Sequence, residues 1–182
     1  MLTMAGKVIT EEDRIGMFLA YMPWFHVGDS VVENLIDNGF FRQAASTRFH
    51  GAYEGGLFDH SFRVMMNLKK LTGRLDLEWQ NPRSPYFIGM FHDLCKIDQY
   101  EKQENGAFKW VKTEIEGHGS KSVELLKSLI VPTEEEEACI RYHMGAFCDK
   151  DEWKDYTNAI HKFPNVLWTH TADMVASHLE NT

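Results

Sequence analysis

Apolar residues recur every three or four positions along most of the chain, which is the spacing of α-helices rather than of strands. Thr10 before three acidic residues is typical of a helix start, and Pro23 is expected to end that helix. Thr133 with Glu136 three residues later forms a capping-box pattern at a second start. Together these patterns predict helices at about residues 10–22, 30–40, 57–71, 86–95, 118–130, 134–144 and 164–180.

One segment departs from the helical period. Residues 98–112 alternate between apolar and polar on both sides of Asn105 and Gly106, a pair that favours a two-residue hairpin turn. The segments 41–56 and 149–158 are predicted to be loops. We therefore expect a mostly α-helical single domain with a small β-hairpin at about residues 98–112.

Composition narrows the range of partners. The net charge is −8 without a Lys/Arg cluster, so nucleic acid is a possible partner that the charge does not favour. A small phosphorylated substrate stays compatible, because a bound metal can reverse the local field. The sequence does not set the oligomeric state.

Two further features predict a cytoplasmic protein. The chain has no apolar run near the roughly 20 residues that a bilayer requires, so we expect no membrane segment, and its first residues lack a secretory pattern. The three cysteines have no CxxC spacing, which favours reduced thiols over a disulfide framework.

The candidate chemistry lies in the histidines and aspartates. Nine histidines is a high number for 182 residues, and several stand on inward-facing positions of different predicted helices or at helix ends. Each group alone is more simply explained as a core or solvated side chain. Six of these groups lie on different predicted helices or at helix ends, and nearly all of them face inward: His60, His92, Asp93, His118, His143 and Asp173.

Buried aspartates need compensation, because an unpaired buried carboxylate costs several kcal/mol. A divalent cation would provide it for Asp93 and Asp173. Four imidazoles with two carboxylates suit one or two borderline transition-metal ions better than calcium. We expect a divalent cofactor among Mn, Fe, Ni, Co, Mg and Zn.

The order His60, His92-Asp93, Asp173 resembles the H…HD…D signature of the HD superfamily of metal-dependent phosphohydrolases. The segments "FHGAYEGGLFDHS", "FHDLCKID", "EGHGSKS" and "HTAD" also resemble, in order, the HD module of bacterial 3′-to-5′ exoribonucleases. The similarity covers roughly residues 48–180. It implies an HD phosphohydrolase domain at 48–182, on which a helical segment at 1–47 packs.

The resemblance also implies roles for individual residues. His60, His92, Asp93 and Asp173 would hold a first metal ion, and Asp93 would bridge to a second ion held by His118 and His143. Lys96 would place its ammonium on the substrate phosphate, unless it is a solvated surface lysine. His50 would contact substrate or protonate a leaving group, or would support the site by packing. His170 is expected to orient a ligand.

The chain departs from the exoribonuclease pattern in two places. The first 47 residues are too few and too helical for the nucleic-acid-binding OB module, and Cys95 stands where the H-D-x-x-K segment commonly has glycine. Both departures weaken the transfer of an RNA-degrading role.

Three functions therefore remain open. The chain is expected to be a phosphohydrolase of a nucleotide, an oligonucleotide end or another small phosphoester. An HD-type mixed-valent di-iron oxygenase with the same ligand set is the alternative, as is a non-catalytic nucleotide-binding HD domain.

Overall fold

The computed structural model describes residues 3–4, 7–115 and 117–179. The N-terminal and C-terminal limits of the predicted domains, 1 and 182, therefore lie outside the described residues. Within them the chain is mostly α-helical, as predicted. The helices run α1 Glu11–Phe25, α2 Asp29–Asp37, α3 Gly56–Leu75, α4 Ser84–Phe91, α5 Gly119–Lys127, α6 Glu134–Arg141, α7 Trp153–Lys162 and α8 Asn165–His178.

Four short strands form two antiparallel pairs in the described part of the chain. The strands are β1 Thr3–Met4, β2 Lys7–Val8, β3 Tyr100–Lys102 and β4 Phe108–Trp110. The pair β3–β4 is the predicted hairpin, with Tyr100 opposite Trp110. The pair β1–β2 was not predicted.

The hairpin turn differs from the predicted two-residue type. Gln103 accepts from the Gly106 amide at 2.9 Å, and its own amide donates to Ala107 at 2.8 Å. Gly106 adopts φ 81°, the left-handed conformation that glycine permits. The connection is thus a tight turn with Gly106 as its left-handed closing residue, because the Gln103–Ala107 bond leaves three residues between the paired positions.

Several predicted helix limits were wrong. Helix α1 continues through Pro23 to Phe25, and α3 continues past Gly73 to Leu75. Helix α4 ends at Phe91, and a 3₁₀ turn, Leu94–Asp98, carries the chain onward. The predicted loop at 149–158 is wrong as well, because α7 begins within it.

The core is built mainly from α3, which packs against α4 and α8. Helix α1 contributes Phe18 and Phe25 to the same buried cluster, where Phe18 contacts Phe91 at a ring-centroid distance of 6.1 Å. An ion pair between Arg14 and Asp59, 2.8 Å and buried, also links α1 to α3. Residue Asp59 precedes His60, so this contact fixes the start of the helix that carries the first candidate ligand.

Two glycines place the loop before α3. A Cβ on Gly55 would lie 2.1 Å from the Arg14 guanidinium, and one on Gly56 would lie 2.0 Å from the Gly51 carbonyl oxygen. Both positions therefore let the backbone pack closely against its neighbours, where a larger side chain would not fit. Among the described residues, no helix is both long and apolar enough to cross a bilayer.

Candidate metal centre

Helix α3, the end of α4 and helix α8 bring the first four candidate groups together. His60 Nε2 lies 3.2 Å from His92 Nε2, 3.3 Å from Asp93 Oδ2 and 3.1 Å from Asp173 Oδ1. His92 Nε2 lies 3.4 Å from Asp93 Oδ2. These nitrogens and oxygens face one another across a gap that a single cation could fill.

Two more imidazoles approach Asp93 from its other side. His118, immediately before α5, has Nε2 at 2.9 Å from Asp93 Oδ1, and His143, just after α6, has Nε2 at 3.4 Å from the same oxygen. The His118 and His143 rings are 5.0 Å apart. Asp93 thus offers one oxygen to each half of the cluster.

The chemistry of these atoms fits a cation. His92 Nδ1 lies 2.9 Å from the Gly89 carbonyl oxygen and His143 Nδ1 lies 2.7 Å from that of Ile140. A carbonyl only accepts, so each ring carries its proton on Nδ1 and turns the Nε2 lone pair to the cluster, as metal-bound histidines do.

Two buried polar atoms support the same conclusion. Asp93 Oδ1 and His143 Nε2 have no aligned hydrogen-bond partner among the described residues, although both are buried. Buried polar atoms of native proteins nearly always have a partner. A cation that contacts these atoms would satisfy them. Elsewhere in the cluster, three sets of three side chains have ligand atoms close enough together to hold an ion: His60, His92 and Asp93; His92, His143 and Asp173; and Asp93, Cys95 and His118.

The charged groups at the centre shift one another's pKa values. Burial by itself would raise the pKa of Asp93, but Lys96 and His92, with contacts to His118 and His143, outweigh it and hold that pKa well below its usual value. Burial likewise opposes ionisation of Asp173, and the contact with His60 lowers its pKa. Both carboxylates are therefore ionised at neutral pH and available to a cation.

Lys96 lies in the site and is not a surface lysine. Its Nζ is buried, 2.7 Å from Asp93 Oδ2, and it lines the same cavity as Asp93. Burial acts to lower the pKa of Lys96, but the adjacent Asp93 charge outweighs it and raises the pKa, so the ammonium stays charged. The explanation as a solvated side chain was wrong.

His50 lies at the edge of the cluster. Its ring is 4.7 Å from that of His60, and its Nε2 is 3.5 Å from Ser177 Oγ, which donates to Asp173 Oδ1 at 3.1 Å. Burial and the charge of His60 lower the pKa of His50 to about 4. The imidazole is neutral at pH 7, which suits hydrogen bonding better than protonation of a leaving group.

The cluster opens into a cavity of about 1010 Å³. Its floor includes Asp93, Lys96, His118 and Asp173, and its lining is otherwise largely apolar. The cavity is wider than a phosphate group and has room for a small organic molecule attached to one.

Several other predicted residues have structural roles. His170 Nδ1 bonds the backbone oxygen of His143 at 2.9 Å, so it fixes the chain that carries a candidate ligand and not the ligand ring. Lys121 is buried and donates to Asp98 and Thr113, so it holds the loop before α5 and does not face the cluster. Glu136, in the first turn of α6, is buried and paired with Arg83 at 2.8 Å.

Four residues of the site were not predicted from the sequence to take part in it. Cys95 Sγ lies 3.2 Å from His118 Nδ1, and burial raises the pKa of this thiol to about 12, so it stays protonated. Tyr100 lines the cavity beside Lys96. Ser177 could have been found, because it stands four residues after Asp173 on the same helix face; Phe147 gives no comparable signal.

One of three comparisons with known proteins gave a match. The family model of the HD domain matches residues 57–162, more than half of the chain, which spans α3 to α7. The protein therefore belongs to the HD domain family. Comparison with curated proteins gave no match, and comparison with solved structures gave none either.

Proposed function

We propose that this protein is a metal-dependent phosphohydrolase that cleaves a phosphoester of a nucleotide, an oligonucleotide end or another small phosphorylated compound. The observation that carries the proposal is the buried cluster of four imidazoles and two carboxylates in an HD domain, with a charged lysine at its edge. Metal-dependent hydrolysis is the chemistry to which the family resemblance points.

Two cation positions are proposed within the cluster. His60, His92, Asp93 and Asp173 hold the first ion, and Asp93 with His118 and His143 holds the second. The division is supported by the two oxygens of Asp93, each of which faces a different pair of imidazoles. Divalent ions bound there would polarise a phosphoryl oxygen and lower the pKa of a water molecule.

The remaining polar groups act on the substrate. Lys96, whose ammonium is held at the cavity floor by Asp93, binds the phosphate and offsets charge that develops on it. His50, neutral at pH 7, hydrogen bonds the substrate or a water molecule.

The size of the substrate is limited by charge. The net charge is −8, and Lys96 is the single lysine or arginine among the described lining residues. A long nucleic acid would require more phosphate contacts than this surface offers. The motifs that resemble the exoribonuclease module favour an oligonucleotide end as substrate, and the net charge favours a short oligonucleotide over a long one.

The test is elemental analysis followed by a screen of phosphomonoesters, phosphodiesters and nucleotides with Mn²⁺. We expect phosphate release or diester cleavage that a chelator stops and that His143→Ala abolishes. The matched control is His161→Ala, which removes an exposed histidine of α7 and should leave activity unchanged. Bound iron with oxygen consumption, and no hydrolysis of any phosphoester, would refute the proposal in favour of the oxygenase.

A further inference from the structure

Two phenylalanines stand exposed at the cavity that contains the candidate metal centre. Phe49 is 82% exposed and Phe147 is 69% exposed, the two highest values among the exposed Phe and Trp side chains of the described residues. Both line the same cavity as Asp93, Lys96 and Asp173. Exposed aromatic surface joined to a site is typical of a ligand contact.

The loop that carries Phe49 is closed by its own hydrogen bonds. Ser46 Oγ accepts from the Phe49 amide at 2.9 Å and donates to the His50 carbonyl oxygen at 2.9 Å. The Ala45 amide donates to the Gly51 oxygen at 2.9 Å. The outward position of Phe49 is therefore fixed by the backbone around it.

Phe147 is fixed to the cluster itself. It closes the 3₁₀ turn Gly145–Phe147, which begins two residues after His143. Gly145 has φ 59° and lies against the His170 ring, and His170 Nδ1 bonds the His143 oxygen at 2.9 Å. The ring of Phe147 is 6.4 Å from that of His170. The same contacts therefore fix the position of Phe147 and the position of His143, a candidate ligand.

The other lining residues favour the same ligand. Met144 and Met174 line the cavity, and thioethers make favourable contacts with aromatic rings. Lys96 is the single lysine or arginine among the described lining residues, so the lining offers one basic side chain to a phosphate.

We propose that Phe49 and Phe147 are specificity-determining residues that stack on a planar heterocycle, so that the substrate is a monophosphate ester bearing a nucleobase-like ring. The inference deepens the proposed function and rests on it for the role of the phosphate. Stacking on an aromatic side chain tolerates any base, because every base presents a π-face.

The test compares AMP with ribose 5-phosphate, which has the same sugar and phosphate but no base. Binding of both phosphates is measured by titration calorimetry on the metal-free protein, where the proposed function predicts no hydrolysis, with adenosine as a phosphate-independent probe. We expect AMP to bind at least about tenfold more tightly than ribose 5-phosphate.

Variants assign that difference to the two rings. Phe49→Ala and Phe147→Ala should each remove most of the AMP preference and leave the ribose 5-phosphate affinity unchanged. Phe147→Tyr should restore the preference, and Phe147→Leu should not. Trp110→Ala removes another exposed ring, 57% exposed and outside the cavity lining, and should change neither affinity.

Two results would overturn the inference. One is equal affinity for AMP and ribose 5-phosphate. The other is a loss in the alanine variants that is the same for both ligands. Failure of the proposed function would give a different result. Base-dependent binding of AMP and adenosine without hydrolysis of any phosphoester would refute the phosphohydrolase function but would support the aromatic binding site.

Discussion

Asp93 is the residue on which the site depends. One of its oxygens contacts His60, His92 and Lys96, and the other lies near His118 and His143. A carboxylate so placed is surrounded by groups that favour its charged form. The sequence indicated this residue because a buried aspartate requires partners, and the structure shows which groups lie beside it.

Lys96 provides a prediction at the residue scale. Lys96→Met keeps most of the side-chain volume and removes the charge that faces both Asp93 and the cavity. Because the ammonium competes with a cation for Asp93, we expect metal content to be kept and Mn²⁺ affinity to be equal or tighter. The hydrolysis rate should fall roughly 100-fold, as when one charged donor to a transition state is removed.

The Lys96 prediction is checked by elemental analysis and phosphoester kinetics on the same samples. Lys102→Met is the control, since Lys102 lies on the hairpin outside this cavity and is exposed. If metal and activity were lost together in Lys96→Met, the lysine would support the metal centre and not the substrate.

At the scale of elements, the candidate ligands lie mostly at helix ends. His92 follows α4, His118 precedes α5 and His143 follows α6, whereas His60 and Asp173 lie inside α3 and α8. Capping residues and period were enough to predict these helices. The exact ends of the helices could not be predicted in this way. They depend on tertiary contacts, such as that of Gly145 with the His170 ring.

Helix α7 shows why some elements could not be predicted from the sequence. Its residues include no buried side chain, and Asp155, Thr157 and Asn158 lower its helix propensity. Its pattern was therefore interpreted as a polar loop. Packing of partly buried Tyr156 and Ile160 against the core stabilises a helix that local sequence only weakly favours.

Gly145 provides a prediction at this scale. In Gly145→Ala the new Cβ would lie 2.6 Å from the His170 ring at a residue with φ 59°. We expect a loss of at least ~1 kcal/mol in the free energy of unfolding, measured by urea denaturation. Displacement of His143 should also weaken binding of the second Mn²⁺ ion more than the first.

Gly73→Ala is the matched control for that variant. Gly73 lies in α3, and an added Cβ there meets nothing within 4 Å. Alanine is the better helix former, so a gain of about 0.5–1 kcal/mol is expected. An unchanged stability in Gly145→Ala would show that the turn after His143 is not held in the conformation described.

At the scale of the whole molecule, the sequence predicted the class of fold and the family but not the shape of the cavity. The helical period and the H…HD…D order are local or sequential patterns, whereas the walls of the cavity come from loops near residues 49 and 147 that approach only in three dimensions. The division of the chain at residue 48 stays a prediction. Helix α1 shares its buried residues and the Arg14–Asp59 pair with α3.

The central claim is that this cluster binds divalent cations through Asp93. Its most direct test is the number of Mn²⁺ ions bound per chain after equilibrium dialysis, compared between the wild-type protein, Asp93→Ala and Asp98→Ala. Asp98 is a nearby carboxylate that bonds Lys121 outside the cluster. We predict one or two ions per chain in the wild-type protein and in Asp98→Ala, and none in Asp93→Ala; an unchanged number in a folded Asp93→Ala protein would contradict the account.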